Sequence, residues 1–98
     1  MENTFRLSGK YPAGETKPVL SEALKQQADF AYAMFLKFQK ECRDFEGRYR
    51  MNSDEFLLKF EAGDLGDDIQ WFDWYAALRG KRLWEKKYDI LHSIAWKA

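Results

Sequence analysis

Residues 51–77, MNSDEFLLKFEAGDLGDDIQWFDWYAA, decide the fold. Asn52 or Ser53 caps a short helix, Asp54 and Glu55 fill its first turn, and with Asn52 as cap Glu55 completes a capping box. Phe56, Leu57 and Phe60 give that helix one apolar face. Gly63 stands where a left-handed residue ends it, and Gly63-Asp64-Leu65-Gly66 reverses the chain. Asp67 or Asp68 then opens another helix, with acids at the positive end of its dipole.

Upstream, no proline occurs between Val19 and Arg50, and Leu24, Ala28, Ala31, Phe35, Phe38, Cys42, Phe45 and Tyr49 recur at steps of three and four. This is the seam of a helix, with Ser21 and Glu22 behind Pro18 as its start. At 1.5 Å per residue it runs to about 48 Å, whereas a compact chain of this size has a radius of gyration of about 13 Å. The helix must protrude, bend near Gly47 or pack along an equally long neighbour. Alanines at one end of the seam and aromatics at the other suit a helical hairpin or bundle better than a parallel zipper, which prefers Ile, Val and Leu.

Downstream, residues 68–94 predict a helix of about 40 Å. Ile69, Phe72, Ala76, Leu83, Ile90 and Ile94 form one stripe, with Trp71, Trp74, Tyr75 and Leu78 partly round its side. Trp84, Tyr88 and Leu91 continue a second stripe, and two stripes imply two neighbours. One is the first helix; the other is a second subunit or a different protein. Gly80 marks either a close helix crossing or a break. The expected architecture is therefore all-α: a long helical hairpin (about 19–50 and 68–94), a short helix between (about 53–62), and an irregular, flexible arm over residues 1–18. Within the arm, residues 4–8 alternate apolar and polar in the manner of a short strand. A ribbon-helix-helix fold fits poorly, because a loop with two prolines separates that segment from the first helix.

Ninety-eight residues make one domain, 19–98 after the arm, of a size that a second copy or a partner often completes. The formal net charge is zero, which lacks the electrostatic footprint of a protein that grips phosphates, so nucleic acid is not the expected partner. Aromatic residues make up 17% of the chain, more large rings than a minimal core takes, so some belong at a contact surface. Cys42 is the single cysteine, which rules out an internal disulfide and suits a reducing, cytoplasmic setting. No signal-peptide core and no apolar run of membrane-spanning length are present.

The chemical candidates are few. Asp64, Asp67, Asp68 and Asp73 suggest a divalent cation, but their spacing lacks the alternate acids and terminal glutamate of a calcium loop, and capping explains Asp67 and Asp68. Cys42 sits in the seam as a small apolar group, His92 is the lone histidine, and no phosphate loop, serine elbow or zinc spacing occurs. The reading is non-enzymatic, with no cofactor or metal. Residues 54–73 hold seven acids and one base, whereas residues 74–98 hold six bases and two acids. Dipole matching accounts for part of this asymmetry. A docking surface accounts for the rest: Trp71, Trp74, Tyr75 and Leu78 as anchors, rimmed by Asp64, Asp67 and Asp73, set against a basic cleft. The basic run Arg79, Lys81, Arg82, Lys86 and Lys87 reads as a solvated face.

The pattern Tyr49-x-Met51-x-Ser53-x-Glu55-Phe56-x-x-x-Phe60-x-x-Gly63-x-Leu65-Gly66-Asp67-Asp68, followed by Phe72-x-Trp74-x-Ala76, resembles a family of short prokaryotic proteins assigned as antitoxin components of toxin–antitoxin modules. The likeness covers about thirty residues, under a third of the chain. It implies a small cytoplasmic protein that binds and masks a toxin encoded nearby, by occlusion rather than chemistry. The alternatives are a homo-oligomeric scaffold that buries Trp84, Tyr88 and Leu91 in a symmetric dimer, and a ligand- or metal-binding protein built on the acidic turn.

Overall fold

The structure, a computed structural model, describes residues 3–4 and 9–95, with side chains over 9–94. Three helices, α1 (Ala13–Tyr49), α2 (Ser53–Glu61) and α3 (Ile69–Ser93), make up the fold. A two-residue parallel pairing joins β1 (Asn3–Thr4) to β2 (Ile94–Ala95). The expected continuation of the first strand, Phe5–Ser8, lies outside the described residues.

Of the options open to so long a first helix, packing along a neighbour is the one realised. α1 passes Gly47 unbroken, and α3 runs back beside it, so that Tyr49 meets Trp71, Phe45 meets Trp74, Tyr32 meets Tyr88 and Phe30 meets Trp84. The result is a rod of 58 × 22 × 20 Å with a radius of gyration of 19.0 Å. α1 is the longer by twelve residues (37 against 25).

α1 starts earlier than the sequence reading places it, at Ala13 rather than near Val19, so the irregular arm is shorter than residues 1–18. Pro18 lies inside the helix, in its second turn, where it withdraws one amide from the ladder. The first turn closes by other means: the amides of Glu15 and Thr16 donate to the Pro12 carbonyl, and Thr16 Oγ1 donates to it at 3.1 Å. The helix ends at Arg50, a non-glycine residue at φ 53°, whose amide donates to the Glu46 carbonyl.

All eight seam positions of α1 are at least half-buried, and Ala31 and Cys42 are fully so. α3 answers with Trp71, Trp74, Ala77, Leu78, Trp84, Tyr88 and Leu91. Most of the other stripe is exposed: Ile69 is 71% exposed, Leu83 55%, Ile90 51% and Phe72 46%. Trp84, Tyr88 and Leu91 are half-buried toward the first helix of their own chain, Trp84 against Phe30 and Tyr88 against Tyr32. Gly80 marks a close crossing and not a break. A Cβ built there would stand 2.9 Å from three carbons of the Phe38 ring.

α2 locks the closed end of the hairpin. Asn52 Oδ1 accepts from the Glu55 amide at 2.7 Å, and Glu46 Oε2 of α1 accepts from the Ser53 amide at 2.8 Å, which ties the start of α2 to α1. At the other end the Gly63 amide donates to the Phe60 carbonyl and that of Asp64 to the Lys59 carbonyl, a Schellman closure that needs φ 78° at Gly63. Gly66, at φ 83°, completes the reversal into α3.

Candidate protein-interaction surface

Trp74 and Leu78, read from the sequence as exposed anchors, are core residues. Trp74 has no exposed surface and Leu78 is 3% exposed. The Trp74 indole lies flat between Phe56, centroid 4.0 Å away at 7°, and Phe45, 5.6 Å away at 8°. Its Nε1 donates to Ser53 Oγ at 3.2 Å, which satisfies the one polar atom that burial would otherwise strand. Trp71 is half-buried against Tyr49, 4.7 Å between centroids. These rings join the three helices to one another, so they cannot also be given to a partner.

A different set forms the accessible surface at this end. Phe60 stacks on Tyr75 at 4.9 Å and meets Phe72 edge-on at 5.3 Å, and Ile69 stands exposed at the start of α3. Arg79 Nη1 donates to the Tyr75 hydroxyl at 3.2 Å, which closes the patch on its basic side. Of the predicted anchors, then, Tyr75 belongs to this patch and Trp71 lies beneath its edge. Phe60, Phe72 and Ile69 were missed as partner residues because their spacing reads equally well as core.

The acids divide into two groups. Asp64 and Asp67 are exposed in the turn beside Ile69, as expected of a rim. Asp73 faces the other way, into a groove of about 420 Å³ between α1 and α3. Glu41, Asp44 and Arg48 share that groove, over a floor that includes Phe38, Phe45 and Ala77. Acids therefore lie in the turn that leads into the Ile69–Phe72 ridge and in the groove with Asp73, where Arg48 joins them. Among the described residues no three His, Cys, Asp or Glu side chains gather where one ion could reach them, so the acidic turn offers no built metal site.

Cys42 lies in the core behind this end, 2% exposed. Burial pushes its thiol up from the ordinary cysteine value, against the opposing pull of the Lys81 ammonium and a hydrogen bond from Ser53. A raised folded value means that the native state holds its proton longer than the unfolded chain does. The associated stability is complete below the unfolded value, about 8.5, and is lost as pH rises through the folded one. Denaturant titrations from pH 7 to 10 should therefore show a steeper alkaline loss for the natural chain than for Cys42→Ala. Parallel profiles would show that the thiol does not couple to folding.

No helix among the described residues is long and apolar enough to cross a membrane. Comparison with protein-family models, with curated proteins and with solved structures returns no match.

Proposed function

We propose that this chain is a non-enzymatic interaction module of the cytoplasm, an antitoxin that binds and masks a partner protein encoded nearby. The observation that carries the reading is the ridge of Ile69 and Phe72, exposed at 71% and 46% on α3, with the exposed Asp64 and Asp67 in the turn before it and Asp73 beside Phe72 in sequence. Large apolar side chains held out of the core by a packed scaffold are what an interface needs at its centre. Carboxylates at the rim speed the encounter with a basic cleft and discriminate against acidic ones. Such a partner would be a protein whose own active cleft is basic, for example one that acts on phosphate-bearing substrates.

The reading predicts that Phe72→Ala with Ile69→Ala weakens capture of the partner by about 30-fold or more, the equivalent of roughly 2 kcal/mol. Thermal stability of the isolated chain should fall far less than affinity does, because Ile69 is 71% exposed and Phe72 46%, its ring contact being with Phe60 at the surface. Unchanged affinity in a calorimetric titration would remove this surface from consideration. A structural homo-oligomer is the second reading, favoured by the exposed Leu83 and Ile90 farther along α3.

A further inference from the structure

The half of the hairpin far from α2 has almost no core of its own. Of the six buried hydrophobic residues among the described ones, Cys42, Phe56, Trp74, Ala77 and Leu78 all lie toward the closed end, and Ala31 alone serves the rest. In the far half, Phe30 is 52% exposed and set edge-on to Trp84 at 5.4 Å, with Leu83 and Ile90 exposed at 55% and 51%. Beside them an apolar groove of about 320 Å³ runs between the helices, lined by Gln27, Ala31, Trp84, Lys87, Ile90 and Leu91.

The chain as a whole exposes more surface than its mass requires. A compact monomer of 11.7 kDa exposes about 5,900 Å², whereas this chain exposes 7491 Å². The excess, roughly 1,600 Å², is about twice what a standard interface takes from each partner and within what an obligate one takes, so it leaves ample area for pairing.

We propose that the far half of the hairpin pairs with a second copy of this chain through Phe30, Leu83, Trp84 and Ile90, closing a four-helix bundle. A second copy is the fitting occupant because one face carries both parts of a reciprocal contact. Phe30 and Leu83 project from it as knobs, and the groove beside Trp84 receives a side chain, so a two-fold axis seats each knob in the other groove. Two hairpins then give every long helix the second neighbour that a single hairpin withholds. The acidic end with Ile69 and Phe72 stays open at each tip of the assembly, so self-pairing and partner masking use separate surfaces.

Sedimentation equilibrium of the full chain, without any partner protein, tests this. The natural chain should sediment at twice its 11.7 kDa mass. Leu83→Glu should raise the dimer dissociation constant by about 100-fold or more, since pairing would bury an unpaired carboxylate on each copy. Its far-UV circular dichroism should stay helical, because Leu83 is half in water in the single chain. Leu58→Glu, at a 73%-exposed position on α2, should leave the dimer intact. A monomeric natural chain over a hundredfold range of concentration overturns the proposal, and so does a Leu83→Glu variant that pairs as tightly as its parent.

Discussion

Trp74→Ala is expected to remove about 3–5 kcal/mol of stability, the range for truncating a fully buried aromatic side chain. Three effects act together. The flat contacts with Phe56 and Phe45 disappear, a cavity opens where α1, α2 and α3 meet, and Ser53 Oγ loses the donor at 3.2 Å. A chain of 98 residues has roughly 5–15 kcal/mol to lose in total. The variant should consequently melt far below the natural protein or lose near-ultraviolet dichroism altogether. Trp74→Phe should recover most of the packing while still leaving Ser53 without its partner. A Trp74→Ala variant as stable as its parent in urea would show that this indole is not the keystone of the three-helix joint.

Gly80→Leu is expected to cost about 2–3 kcal/mol, although any residue other than proline favours a helix over glycine. Helix propensity alone predicts a gain approaching 1 kcal/mol. The crossing predicts the opposite, because a Cβ at this position already reaches within 2.9 Å of the Phe38 ring. That ring packs against the core of Cys42, Ala77 and Leu78, so displacing it disturbs the contact between α1 and α3. Gly80→Ala isolates the contact with the smallest intrusion and should be destabilised despite its better propensity. A rise in melting temperature for the alanine variant would mean that the helices lie farther apart at Gly80 than described here.

The two expected losses separate what was legible in the sequence from what was not. The seam of α1 could be read because its eight members recur at steps of three and four from Leu24 to Tyr49, a longer repeat than the exposed Phe30, Tyr32 and Leu36 make. The bounds of α2 could be read because Asn52, Glu55 and Gly63 each satisfy specific amide or carbonyl groups that helix ends leave open. α3 was legible only in part. It carries two stripes of similar apolarity, and periodicity reports that both exist without saying which one turns inward. What decides is three-dimensional fit: the stripe with Trp74, Ala77 and Leu78 lets the backbone come close at Gly80, and it meets Phe56 once α2 folds across the end. The start of α1 lies ahead of Pro18, which periodicity after a proline does not report: the first turn is held by the Glu15 and Thr16 amides and Thr16 Oγ1 on the Pro12 carbonyl, and the helix absorbs the proline so near its end.

The candidate surface was legible in its charge and in its location but not in its members. Seven acids across residues 54–73 mark the end where the proposed surface lies. Exposure, which distinguishes an anchor from a keystone, depends on packing that only the assembled fold reveals. Trp71 and Trp74 looked like anchors because tryptophan is frequent at interfaces. In this chain their area is used to join helices, and the smaller Ile69 and Phe72 are left exposed.

Co-expression with the product of the adjacent open reading frame, scored by growth and by affinity capture, tests the masking reading most directly. The account predicts that the neighbouring product arrests growth, that the natural chain restores it and is recovered in a stable complex, and that the Ile69→Ala, Phe72→Ala variant does neither while remaining folded. A harmless neighbour with no complex would contradict it, as would full rescue by the doubly substituted chain.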